Sequence, residues 1–203
     1  MKFLARGAEA ELYRDRLHDR AVAEKIRIKK KYRIQEIDLP LRRSRTRGEA
    51  SLLHSAKEAC VACPTVYEIG DFELKLGFID GVMLRDLVRK SSRAQLRKML
   101  REVGMGLARL HEADIVHGDF TTANVMVSEG KVFFIDFGLG GFSKDAEEKA
   151  VDVLLMKKSL GNNAAYKLFL SGYRSYKGYP RVMSQLAEIE KRGRYVVRSW
   201  AGA

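Results

Sequence analysis

No apolar run in this chain of 203 residues approaches the length needed to cross a bilayer. Met1-Lys2 is not followed by the apolar core of a signal peptide, so the expectation is a cytoplasmic protein with no membrane attachment. Cysteine is nearly absent: Cys60 and Cys63 form a lone C-x-x-C before Pro64. A zinc site wants a second pair, His54 does not complete a tetrahedral set, and a redox pair wants a thioredoxin-like context. Both cysteines are therefore read as structural residues at a helix end. Proline is as scarce, with three in all and none between Pro64 and Pro180, which excludes an Ala-Pro-Glu motif from that stretch. Acid is in deficit too: 26 acidic against 38 basic residues leave a net charge of +12. An apolar content of 46% nonetheless argues against disorder, and the length allows one good core or two small lobes.

Against these absences stand two short segments, His117-Gly118-Asp119-Phe120-Thr121-Thr122-Ala123-Asn124 and Ile135-Asp136-Phe137-Gly138. In the first, Asp119 could orient a hydroxyl or a water, and five residues later Asn124 offers an amide oxygen to a metal. The second places a carboxylate, Asp136, after the apolar run Val132-Phe133-Phe134-Ile135, which reads as a buried strand. One Asp and one Asn from a loop, with an Asp from the next strand end, are what a complex of ATP and magnesium (Mg2+) requires. Each segment alone is a weak signal. In this order, with a strand between them, they describe phosphoryl transfer.

The supporting parts lie upstream. Val22-Ala23-Glu24-Lys25 is β-prone, and its lysine is placed to hold phosphates and pair with a glutamate on the following helix. Glu49, in Arg47-Gly48-Glu49-Ala50-Ser51-Leu52-Leu53, is the preferred partner over Glu36 and Glu58. The covering loop is reduced to Gly7-Ala8-Glu9-Ala10, between Phe3-Leu4-Ala5 and Leu12-Tyr13. One glycine allows a tight turn and a close backbone approach, but not the flexible clamp of a G-x-G-x-x-G loop.

These blocks resemble the small atypical Ser/Thr kinases of the KEOPS complex, the PRPK type of archaea and eukaryotes. The resemblance also covers Lys25-Ile26-Arg27 through Tyr32-Arg33, Ile37-Asp38-Leu39, Arg45-Thr46-Arg47-Gly48-Glu49-Ala50, Glu148-Lys149-Ala150-Val151-Asp152 and the basic Lys191-Arg192-Gly193-Arg194. The Thr121-Thr122 pair is its most diagnostic feature. It spans nearly the whole chain, as a full-length member would. It implies an α+β, protein-kinase-like bilobal fold, with a β-rich lobe over 1–79 and a reduced helical lobe over 80–203. It implies that Asp119 is catalytic and that Asn124 and Asp136 hold the metal. Gly7, Ala8, Glu9, Ala10, Lys25, Glu49, Leu76, Gly77 and Ile79 complete the nucleotide site. Leu76 would back the adenine pocket, with the Gly77 C=O and Ile79 N–H on the adenine edge. The family usually has a glutamate where Gly77 stands; only a backbone contact is asked of that position. The implied partners are the threonylcarbamoyltransferase subunit of the complex and its other small subunits, in the modification of tRNA.

Periodicity supplies the frame. Glu73-Leu74-Lys75-Leu76-Gly77-Phe78-Ile79 alternates as a half-buried strand and runs into the turn Asp80-Gly81, the expected interlobe hinge. Ser92 and Gln95 form a capping box for a helix with apolar residues at Leu96, Met99, Leu100, Val103, Leu107 and Leu110, ending near Ala113-Asp114. A second helix is expected over 145–160, with Asp152 anchoring the catalytic-loop backbone.

Missing parts narrow the activity. Without Ala-Pro-Glu, and with Gly118 where protein kinases place arginine, control by activation-loop phosphorylation is not expected. ATP hydrolysis or phosphorylation of a few tethered targets fits better than broad kinase activity. Two basic clusters, Lys29 to Arg47 and Lys191 to Arg198 with Tyr195 and Trp200, could contact RNA or remain a solvated face. An aminoglycoside- or choline-type small-molecule phosphotransferase shares the His-Gly-Asp loop and is the alternative enzyme. RIO-type kinases are a third relative whose metal-binding motif differs, and a non-catalytic RNA-binding scaffold is the alternative outside enzymes.

Overall fold

A computed structural model describes residues 1–200, with side chains through Arg192. The N-terminal lobe is an antiparallel sheet of β1 (Lys2–Arg6), β2 (Ala10–Leu17), β3 (Arg20–Arg27), β4 (Val66–Ile69) and β5 (Glu73–Gly77), in the order β1-β2-β3-β5-β4. Alternation along β3 and β5 sends buried Val22 to one face, and Leu74 and Leu76, together with Ala23 and Lys25 opposite them, to the other. Lys25 sits between Leu12 and Leu74 in this register, in the middle of the sheet.

Helix α1 (Gln35–Glu58) covers that face with Leu52, Leu53 and Ala56. It begins well before Arg47, where the sequence pattern opens a helix, and it contains Pro40. Pro40 removes one backbone bond near the helix start. Buried Asp38 offsets this, accepting from Arg42 Nε at 2.6 Å and from the Lys30 amide at 3.4 Å. After α1, Cys60 is exposed and Cys63 buried, with both thiols free. Only Cys63 has the structural setting expected; burial pushes its thiol up to about 11, leaving it unreactive.

The C-terminal lobe holds the short elements β6 (Val82–Met83), α2 (Leu84–Leu87), β7 (Ile115–Val116), β8 (Val125–Ser128), β9 (Lys131–Phe134) and β10 (Gly141–Phe142). Its mass lies in α3 (Arg93–Glu112), α4 (Ala146–Leu160), α5 (Asn163–Tyr173) and α6 (Tyr179–Trp200). Both halves of the Ser92–Gln95 capping box form at the start of α3. Asp145 caps α4, whose first turn carries Glu147 and Glu148 and whose last carries Lys157 and Lys158, as the helix dipole favours. Leu100, Val103, Leu107 and Leu110 on α3 are fully buried against Phe120, Phe134, Phe169 and Tyr173, while Leu96 and Met99 lie at the edge. Each such side chain contributes about 1.5–3 kcal/mol of burial. Gly104 and Gly172 let α3 and α5 meet backbone to backbone: a Cβ on Gly104 would run into the Phe169 carbonyl. Lys191 and Arg192 on α6 pair with Glu188 and Glu147. The side chains of Arg194, Tyr195, Arg198 and Trp200 lie outside the described residues.

Candidate active site

The catalytic loop leaves β7 at Val116 and is held from below. Asp152 on α4 accepts the His117 amide at 2.7 Å and the Gly118 amide at 2.9 Å, the anchoring role expected of it. Gly118 has φ +79° and its missing Cβ makes room for the Leu139 carbonyl, so the turn needs glycine. His117 is buried, donates from Nε2 toward Ile135 O at 3.1 Å, and packs on Phe137 with ring centroids 4.7 Å apart. Burial holds its imidazole neutral, against the pull of Asp152.

Asp119 therefore projects from a clamped loop. Asn124 Nδ2 donates to the Asp119 carbonyl at 2.7 Å and to its Oδ2 at 2.8 Å. Both donors of the amide are directed at Asp119, so Asn124 Oδ1 is left to accept a cation. The Ile135 amide bonds the Asn124 carbonyl at 3.0 Å, which fixes Asp136 next to this pair. Asp136 has φ +60°, a left-handed conformation that Asp tolerates better than most residues. Fully buried Phe137 anchors the turn, while the Asp136 side chain stays 53% exposed.

Lys25 reaches across from the sheet. Its Nζ lies 2.6 Å from Glu49 Oε1 and 2.7 Å from Asp136 Oδ1. Burial raises the Asp136 carboxyl, but Lys25 outweighs it and the carboxyl lies below its ordinary value. Glu49 is almost wholly buried, at 1% side-chain exposure, whereas the rivals Glu36 and Glu58 are exposed, as are Lys29 and Lys31. The other Glu49 oxygen bonds Arg27 NH2 at 2.6 Å. Arg27 stands in one of the matching sequence blocks but is given no role in the site there. Its signal was the period of two: residues 25 and 27 of one strand share a face.

The covering loop is folded down. Gly7 N donates to Ala10 O at 2.8 Å, Ile28 N to Glu9 O at 3.1 Å, and Lys30 Nζ to Ala8 O. The Glu9 carboxylate turns to Arg45, to Arg33 at 3.3 Å and to Arg27 at 3.9 Å. Arg45 above all keeps it below the ordinary glutamate range. At the exit of β5, Leu76 is buried, Gly77 N donates to Thr65 O at 2.7 Å and Phe78 N to Ala21 O at 3.2 Å. Ile79 follows with no backbone bond among the described residues.

The donors at Asp136 and Asn124 are hard oxygens beside a neutralising ammonium, which fits magnesium. Among the described residues no group of three or more His, Cys, Asp or Glu could hold a metal ion by itself, so a magnesium ion held by Asp136 and Asn124 would need further oxygen ligands from phosphate or water. Much of the first basic cluster is engaged in ion pairs within the chain: Arg42 with buried Asp38 and, on the surface, Arg43 with Asp71, beside the Glu9 pairs. Lys29, Lys31 and Arg47 remain exposed.

A solved structure titled WaaP in complex with acyl carrier protein superposes with a TM-score of 0.68, covering 96% of this chain and 88% of that one. At 15% identity it shows the fold alone, a kinase-like one. The model of the RIO domain matches residues 9–156, so the differing metal motif does not separate this chain from that family. The KEOPS complex subunit Bud32 of Pyrococcus abyssi is 41% identical over 98% of this chain and 99% of its own length. A probable bifunctional tRNA threonylcarbamoyladenosine biosynthesis protein of Methanobrevibacter smithii is 40% identical over 95% of this chain, which spans 36% of that longer protein. The chain belongs to the RIO domain family, and within it to the group related to Bud32 along its whole length.

Proposed function

We propose that this chain is an ATP- and Mg2+-dependent atypical Ser/Thr protein kinase and ATPase, acting as a KEOPS subunit in threonylcarbamoyladenosine modification of tRNA. The observation that carries the chemistry is Lys25, with Nζ held at 2.6–2.7 Å between Glu49 and Asp136. Asp119 and Asn124 stand beside it, joined at 2.8 Å. Magnesium-ATP, when bound, supplies the transferable phosphoryl group and the cation that neutralises its charge.

Lys25 holds the phosphate oxygens, and Glu49 keeps it there. Asp136 and Asn124 Oδ1 would hold the metal, beside the Lys25 ammonium that already pairs with Asp136. Asp119 accepts a hydrogen bond from the attacking hydroxyl or water and orients it. Gly7 to Ala10 covers the phosphates through its backbone. Leu76, Gly77 and Ile79 receive the adenine, with the lobe boundary between residues 79 and 80.

The Bud32 likeness supports assembly with the threonylcarbamoyltransferase subunit and the other small subunits, in the cytoplasm. The longer biosynthesis relatives support a place beside tRNA. The threonylcarbamoyl transfer itself belongs to the partner, for the groups of this site handle phosphate.

The test is ATP turnover with magnesium, alone and with the transferase subunit and tRNA, for the wild type and Asp136→Ala. Radiolabel is followed into free phosphate and into protein. The expected result is turnover that rises with partner and tRNA and falls at least a hundredfold in the variant. Label that appears only on an added aminoglycoside or choline, with no response to partner or tRNA, overturns the assignment in favour of a small-molecule phosphotransferase.

A further inference from the structure

Glu49 carries two oxygens, and each meets a different cation. Oε1 takes Lys25 and Oε2 takes Arg27, both at 2.6 Å, in a place where Glu49 has 1% of its side chain exposed and Arg27 has 5%. The protein-kinase template asks only for the lysine, and it leaves the position of the glutamate's helix to a phosphorylated activation segment. This chain lacks the Ala-Pro-Glu end of such a segment and the arginine before Asp119. It has instead a second buried cation on the same carboxylate.

Arg27 is itself fixed from several sides. Its NH2 also approaches the Arg45 carbonyl at 3.3 Å, and its own carbonyl accepts from Arg42 at 3.3 Å, so α1 is tied to β3 along two turns. Its NH1 stands 3.9 Å from Glu9 in the covering loop. The turn after Asp136 closes the remaining side: a Cβ on Gly138 would sit 3.2 Å from Arg27 NH2, 3.5 Å from Glu49 Oε2 and 3.1 Å from Asp136 Oδ1. Covering loop, strand, helix and metal-binding turn thus meet at one guanidinium. A planar fork of donors suits this place, and a lysine could satisfy only part of it.

We propose that Arg27 is a positioning residue: it locks Glu49, and through Glu49 it holds Lys25 in the phosphate-binding arrangement. Glu9 fastens the covering loop to the same lock. The inference rests on the phosphate-holding role of Lys25 given above. It explains how α1 stays in its active placement with no activation segment to push it there. It also gives the glycine-poor loop a closing device, since Glu9 reaches Arg27, Arg33 and Arg45 from a loop with one glycine.

The test measures the Kd of a fluorescent ATP analogue with magnesium, its release rate, and thermal melting of the full chain. The variants are Arg27→Gln, Arg27→Lys, Glu9→Gln, Lys25→Met and the double variant Arg27→Gln/Lys25→Met. Arg27→Gln should weaken nucleotide binding about tenfold, with Arg27→Lys recovering part of the loss. In the Lys25→Met background Arg27→Gln should add nothing, because its effect passes through Lys25. Equal losses in both backgrounds would mean that Arg27 merely supports the fold, and would overturn the inference. Should Arg27→Gln fail to fold, Glu9→Gln decides: release several-fold faster supports the lock, and an unchanged rate overturns it. If Lys25→Met itself leaves the Kd unchanged, the phosphate-site reading falls. If Lys25→Met weakens binding while folded Arg27→Gln does not, only the positioning inference falls.

Discussion

His111 lies under the catalytic loop, fully buried, with Nδ1 at 2.7 Å from the Tyr173 hydroxyl and Nε2 at 3.3 Å from Asp152. The neutral ring fits both, accepting from Tyr173 and donating to Asp152. Burial lowers its pKa from 6.5 more than Asp152 raises it, and His117 is shifted the same way for the same cause. The folded values lie below the unfolded one, so the unfolded chain protonates first as the pH falls. Stability is then complete above the unfolded value of 6.5 and is lost below it. The limiting slope is about 1.4 kcal/mol per pH unit for each histidine. Urea unfolding at pH 7.5 and 5.5 should show this loss, and His111→Gln, although less stable, should lose less between the two pH values. A stability that does not change over this range would contradict the account. Neither histidine's burial could be read from the sequence, where His111 is one of many residues on the α3 pattern and His117 belongs to the loop motif.

Among the elements, α3 was the most legible, since a capping box and an apolar stripe fix both its start and its buried face. The helix after Asp145 was equally plain; the strand before Asp136 was found too, but it runs over Lys131–Phe134 with only Phe134 buried, less enclosed than its apolar run suggests. The start of α1 was not, because Pro40 and a run of charges disguise a turn that the Asp38–Arg42 pair holds in place. The α3–α5 crossing was hidden as well: nothing in the spacing of Gly104 and Gly172 says that they face each other. Gly104→Ala should destabilise the chain by about 1–3 kcal/mol through overpacking, and by more if the helices cannot separate. Thermal melting measures it, at about 2–4 °C for each kcal/mol in a chain of this size. A melting temperature equal to the wild type would mean that the crossing is looser than described.

At the scale of the whole molecule, the site is a meeting of segments far apart in the chain: Lys25 and Asp136 pair across 111 positions. Five groups that the fold brings into this region, Lys25, Glu49, Asp119, Asn124 and Asp136, were singled out in the sequence, as the chemical types and order expected of a phosphate and magnesium site. Arg27 went without a role there although the period of two puts it on the face of Lys25, and the carboxylate partners of the basic cluster depend on how strand, loop and helix come together. The most direct test of the central claim is Asp119→Asn, which keeps an oxygen to accept from Asn124 but removes the charge that orients the nucleophile. The account predicts a nucleotide Kd within about twofold of the wild type and ATP turnover reduced by about 10²–10⁴. Turnover within a few-fold of the wild type would contradict it.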